Sequence, residues 1–157
     1  MSYITNKGKL SVAYWIIFYI GLIALFLIDI RTYTLPQWMT YPLLILGVVR
    51  AVGHPDSVLY ILSGAGTFLI FWIIRILSHK AYGTEALGFG DVMLVSIFGL
   101  WGTFHGAWIS IVMGLSLAMV WSLVSILLSG SKLTDVIPLG PFLISGWILN
   151  ALWLQSN

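Results

Sequence analysis

The chain has 157 residues, of which 60% are hydrophobic and only 8% charged, with a mean hydropathy of +1.03; soluble domains carry about 25% charged residues, so a soluble fold is excluded. The net charge of +2 comes from seven Lys and Arg placed singly along the chain, which leaves no basic tract for nucleic acid. With no cysteine, disulfides, thiol catalysis and Cys-ligated zinc are excluded as well.

A bilayer core about 30 Å thick takes roughly 20 apolar residues of helix. Uncharged runs of that length, and the polar breaks between them, predict an all-α membrane protein: a single domain over residues 1–157 built as a bundle of six transmembrane helices. The first span covers residues 10–28, a run of 19 uncharged residues behind Lys7 and Lys9. It is longer than the apolar core of a secretory signal and lacks a small-residue cleavage site, so it reads as a retained span. Asp29-Ile-Arg-Thr-Tyr-Thr-Leu-Pro36 ends it, because proline cannot continue a helix and restrains the residue before it. A short second span follows at 37–52, then the turn Gly53-His-Pro-Asp56 and a third span at 57–74. Residues 75–90 read as the longest polar loop.

Between Asp91 and Lys132 lie 40 uncharged residues, too many for one span. Gly102-Thr-Phe-His-Gly106 is the expected reversal, giving a hairpin of spans 91–104 and 106–129. A second polar loop around Lys132 and Asp135 precedes the last span at 138–155, whose Pro138 and Pro141 fall where proline is tolerated. Trp15, Trp38, Tyr60, Trp101 and Trp153 lie near span ends and are expected in the interfacial belts. Ser110, Gly114 and Ala118, four residues apart, should let the fifth span pack closely on a neighbour. The side holding Arg31, Arg75, Lys80 and Lys132 outnumbers the side holding Lys7, Lys9 and Arg50 by four charges to three, a margin too thin to orient the chain. Either orientation puts Asp29 and Asp91 on the same face.

The chain has five acids: Asp29, Asp56, Glu85, Asp91 and Asp135. Asp29 closes a helix at the end where the macrodipole disfavours an anion, so something must compensate; pairing with Arg31 at the water boundary explains it as readily as function does. Asp91, after Gly88-Phe-Gly90, reads locally as an ordinary N-cap. The glycines lack the basic residue and Ser/Thr of a phosphate loop. Taken as a pair on one face, the acids gain a further meaning. Two carboxylates a few ångströms apart share a proton, and such a pair can hydrolyse a peptide: the ionised member takes a proton from water while the protonated one donates to the scissile carbonyl. Competing protease chemistries are absent, since there is no His-Glu-x-x-His and Ser63, Ser129 and Ser145 lack the context of an intramembrane serine nucleophile. No metal or cofactor is expected.

A reading from another class keeps Asp29 and Asp91 as ion or proton sites of a small transporter or proton-coupled carrier. That needs acids near the bilayer midplane, whereas these fall at segment ends. A non-catalytic assembly subunit is a third reading, and it would tolerate loss of either acid. His54 and His105 fall in turns on the opposite face and read as interfacial, while His79 and Lys80 suit anionic lipid headgroups.

Three blocks resemble the type IV prepilin peptidases, members of the Gly-x-Gly-Asp intramembrane aspartyl proteases. The segment from Asp29 to Pro42 is similar to the family's first-aspartate segment, Leu87-Gly-Phe-Gly-Asp-Val-Met-Leu94 to its second-aspartate motif, and Ile137-Pro-Leu-Gly-Pro-Phe142 to its terminal element. The resemblance implies a membrane aspartyl endopeptidase with Asp29 and Asp91 catalytic, and with Gly88, Gly90, Pro138, Gly140 and Pro141 positioning substrate. It implies a multi-pass protein of the bacterial inner membrane, in contact with membrane lipids, removing the short basic leader of a prepilin or pseudopilin precursor at the cytoplasmic face. Many bacterial members carry an N-terminal cysteine-quartet domain and also N-methylate the product; this chain shows neither that domain nor any cysteine, so peptidase activity alone is expected. The family usually has Lys two residues after the second Asp, where this chain has Met93; a residue there is turned by about 200° and is expected to point away from Asp91, and a lysine in its place would reach the headgroups or acidic substrate residues.

Overall fold

The computed structural model describes residues 2–82, 87–129 and 138–156, which form five helices. The first apolar run becomes α1 (Ser2–Thr32), which continues past the uncharged run and places Asp29 in its last turn. It stops because Tyr33 turns into the left-handed region (φ 56°), with its N–H donating to the Asp29 carbonyl at 2.8 Å, the usual way of ending a helix. Pro36 precedes α2 (Gln37–Val52), and Gly53 closes it.

Helix α3 (Ser57–Tyr82) is two turns longer than the expected span at 57–74. Arg75, His79 and Lys80 therefore ride on a helix and not on a loop, because residues 75–82 hold good helix formers and neither Gly nor Pro. Glu85, Lys132 and Asp135 lie outside the described residues.

Both spans expected at 91–104 and 106–129 fall in α4 (Phe89–Ser129), which is broken at Thr103 (φ 60°, ψ 173°). A β-branched residue there is strained, and the chain reverses direction around it. Before the break α4 runs antiparallel to α3: Phe89 packs edge-on against Trp72, and the Ser96 hydroxyl donates to Gly64 at 3.0 Å. After it the two run in the same direction, with Phe104 beside Gly66 and Trp108 against Phe71. The last helix, α5 (Leu139–Ser156), carries Pro141 in its first turn, where backbone N–H groups have no helical partner in any case. The chain is thus all-α, with no strand among the described residues. Three segments, Val12–Thr32, Ser57–Ala81 and Phe89–Leu128, are long and apolar enough to cross a membrane, with two shorter apolar helices beside them, as befits a multi-pass membrane protein.

The first half of α4 is apolar on every face and fills the centre, with Val92, Leu94, Val95, Ile97 and Phe98 fully buried. Around it large rings interlock: Trp101 stacks on Phe18 at 4.0 Å, and Phe98 on Trp147 at 4.8 Å. Trp101, expected in an interfacial belt, is only 2% exposed and belongs to this core, whereas Trp38 and Trp153 are exposed. Beyond these rings the guanidinium of Arg50 lies 5.0 Å from Trp15 and Trp101 and 5.1 Å from Tyr60, and donates to the Leu100 carbonyl at 3.3 Å. Arg50 thus combines cation–π attraction with a hydrogen bond to the backbone just before the break at Thr103. The small-residue stripe does let helices approach: Gly114 lies against Phe142 and Leu143, and Asn150 donates to Ser110 at 3.0 Å. Helix α1 packs its backbone on α2 and α5 but meets α4 through side chains alone.

Candidate active site

The end of the bundle opposite Arg50 gathers the last turn of α1, the α1–α2 link, and the first turns of α4 and α5. Asp29 is buried there, 2% exposed, and its Oδ2 accepts the backbone N–H of Gly140 at 3.1 Å. The positive N-terminal end of α5 thus offsets the unfavourable C-terminal end of α1. This answers the electrostatic problem that pairing with Arg31 was expected to solve; Arg31 is exposed, and among the described residues no ion pair joins it to Asp29.

Asp91 is the third residue of α4 and is partly exposed. Its N–H donates to the Gly88 carbonyl at 3.2 Å, and its carboxylate accepts the Gly88 N–H. It therefore reaches back from the first turn to the residue before the helix, as the acidic member of a capping box does, and is not the N-cap that the local pattern suggested. The carboxylates of Asp29 and Asp91 are close enough for the charge of one to act on the other. Asp56, paired with His54 at 3.8 Å, belongs to the turn between α2 and α3.

Leu35, 9% exposed, is wedged between the two acidic elements. A Cβ at Gly90 would stand 2.5 Å from the Leu35 Cβ and 2.7 Å from its carbonyl oxygen; one at Gly140 would stand 2.6 Å from Asp29 Oδ2 and 3.2 Å from Leu35 Cδ1. Only glycine lets α4 and α5 start this close to the link and to Asp29. On the other side Phe89 is held against Trp72, with the Arg75 guanidinium 5.7 Å from Phe89 and 5.9 Å from Trp72, which anchors the first turn of α4 to α3. Between the end of α1 and the start of α5 lies a cavity of about 410 Å³, walled by Phe26, Ile30 and Tyr33, by Trp121 of α4, and by Pro138 and Pro141; neither acid lines it.

The structure thus brings together every site residue expected from the sequence. Asp29 pairs with Gly140 and Asp91 with Gly88, Gly90 rests on Leu35, and Pro138 and Pro141 line the cavity. Met93 is buried, 8% exposed, so a lysine in its place could not reach the headgroups without moving its neighbours. Sequence reasoning missed the wedge role of Leu35, although Leu35-Pro36 lay within the first block, and missed the cavity walls at Phe26, Ile30 and Trp121, which look like any lipid-facing residues. Among the described residues no group of three His, Cys, Asp or Glu could hold a metal ion.

Residues 16–131 match the model of the type IV leader peptidase family. The chain is 36% identical over 137 residues to the leader peptidase HopD of Escherichia coli, covering 80% of this chain and 86% of that protein. It is 31% identical over 131 residues to a prepilin leader peptidase/N-methyltransferase of Stutzerimonas stutzeri, covering 82% of this chain and 45% of that one. A protein of the same description from Dichelobacter nodosus is 30% identical over 146 residues, with 88% and 48% covered. The chain spans about half the length of these last two relatives. No solved structure matches. The matched region takes in both acids, the Leu35 wedge and the turn before Asp91, and most of the chain aligns with most of a leader peptidase: the chain belongs to the type IV leader peptidase family.

Proposed function

We propose that the protein is an aspartyl endopeptidase of the bacterial inner membrane, built on six spans, that removes the short basic leader of type IV prepilin-like or pseudopilin precursors at the cytoplasmic face. The observation that carries this reading is the buried Asp29, held by the Gly140 N–H and within electrostatic reach of the partly exposed Asp91. One carboxylate, ionised, removes a proton from a water molecule whose oxygen attacks the scissile carbonyl carbon, while the other, protonated, donates to the carbonyl oxygen. Collapse of the tetrahedral intermediate breaks the C–N bond: a hydroxyl proton of the intermediate returns to the second carboxylate, and the proton taken from water passes to the leaving amine. The pair returns to its starting state with one water consumed.

The backbone around the pair supports this division of labour. The N–H groups of Gly140 and Gly88 each fix one carboxylate, leaving the other lone pairs free for water and substrate. Co-expression with a candidate precursor, reading leader removal on a gel, tests the proposal. Asp29→Asn and Asp91→Asn should each abolish cleavage while leaving membrane insertion intact, and Asp56→Asn should retain it. Full processing by either single dyad variant refutes the pair.

A further inference from the structure

Helix α3 supplies neither acid, yet it grips the turn that carries Asp91. Trp72 and Arg75, on one face of α3, and Phe89 of α4 stand in a closed triangle. Phe89 meets Trp72 edge-on at 5.6 Å, and the Arg75 guanidinium lies 5.7 Å from the Phe89 ring and 5.9 Å from that of Trp72. Each ring thus attracts both the other ring and the cation. Phe68, a turn earlier on α3, stacks on Trp72 at 5.7 Å and backs the triangle.

The turn offers few other handles. Between the buried Leu87 and Asp91, Phe89 is the only residue with a side chain, and glycines at 88 and 90 leave the backbone many conformations to choose from. Gly90 lies against Leu35, while the Gly88 N–H holds the Asp91 carboxylate and the Gly88 carbonyl accepts the N–H groups of Asp91 and Val92 at 3.2 and 3.3 Å. Those bonds need residues 88–91 in one conformation, and the Phe89 ring ties that conformation to a long helix.

We infer that Trp72 and Arg75 are positioning residues for Asp91: by gripping Phe89 from α3 they fix the turn that begins at Gly88, and with it the place of the carboxylate. The effect on rate rests on the peptidase reading above, whereas the grip itself is a property of the fold. A clamp on one acid acts on turnover and not on substrate binding. It requires a cation at position 75 and an aromatic ring at position 72.

Initial rates and amide hydrogen exchange on the same purified variants test this. Arg75→Gln, which loses the charge but keeps most of the length, should lower kcat for leader removal about fivefold with KM within about twofold, and Arg75→Lys should recover most of the loss. Trp72→Leu should behave like Arg75→Gln, and Trp72→Phe like the wild type. The amides of Asp91 and Val92 should exchange about fivefold faster in Arg75→Gln, but at the wild-type rate in Arg31→Gln, which removes an exposed cation from the last turn of α1. In a Phe89→Leu background, Arg75→Gln should cost little more, since the ring it acts on is gone. Unchanged exchange in Arg75→Gln, a raised KM with unaltered kcat, or a fully additive loss beside Phe89→Leu overturns the inference. If the wild type cleaves no precursor, the peptidase reading fails, and faster exchange at Asp91 and Val92 in Arg75→Gln still upholds the clamp.

Discussion

Gly140 gives the sharpest test of how Asp29 is held. In an ordinary helical position Gly→Ala stabilises by up to about 1 kcal/mol, so loss of function here cannot be ascribed to a weaker helix. The added methyl would stand 2.6 Å from Asp29 Oδ2, well inside carbon–oxygen contact, so either the carboxylate or the start of α5 must move. Either movement breaks the 3.1 Å hydrogen bond from Gly140. A hydrogen bond to a charged group contributes about 1.5–3 kcal/mol, and about 1.4 kcal/mol corresponds to a factor of ten in rate. If that orientation is used in the transition state, Gly140→Ala should lower kcat/KM for leader removal by about 10- to 100-fold per folded molecule, with a loss of thermal stability no larger than the lost hydrogen bond explains. Gly106→Ala is the matched control, since no atom lies within 4 Å of its added methyl, and it should stay within twofold. Initial rates on purified protein decide the matter, and wild-type activity in Gly140→Ala would show that this N–H does not position the acid.

Gly90→Ala should act through the wedge instead, its methyl 2.5 Å from the Leu35 Cβ, and should lower both activity and thermal stability; a suppressor Leu35→Ala restoring part of both would confirm the contact. Met93→Leu should be silent, whereas Met93→Lys places an amine at a site 8% exposed and should lower thermal stability. Turnover per folded molecule should stay within a few-fold, about 1 kcal/mol of barrier or less, because residue 93 is turned by about 200° from Asp91; a tenfold change in kcat would put it in the chemistry. For topology, a single cysteine at Ala81 should react with an impermeant thiol reagent only from the cytoplasmic side and one at Pro55 only from outside, and the reverse pattern would put the acids on the wrong face for prepilins.

What was legible in the sequence was what local chemistry decides. Helix α2 matches its expected span residue for residue, because Pro36 and Gly53 bound it. The reversal between Gly102 and Gly106 was visible as an excess of apolar length, although the residue that breaks the helix is Thr103. The end of α3 was misread because charge marks where a helix leaves the bilayer, not where it stops being a helix. Trp101 was misplaced because a tryptophan at a span end suits a belt and a core equally until its neighbours are known. The two acids stood out since so few charges surround them, but the bond from Gly140 to Asp29 crosses 111 residues. No spacing rule reaches that far, and the same distance hid the groove that α1 and α5 form together.

The helices that carry the two acids nowhere bring their backbones together. Their spacing is set by shims: the stacked rings of Phe18 and Trp101 at one end of the bundle, and Leu35 at the other. Phe18 and Asp29 are 11 residues apart on α1, about 16 Å at 1.5 Å per residue. A helix tilted by a thinner ring at position 18 would swing the end that carries Asp29, so the aromatic stack about half a bilayer core away bears on where that carboxyl stands. The position of Asp29 relative to α4 is therefore a matter of the core as much as of its own neighbours, and a substitution in the ring stack can move the acid without approaching it.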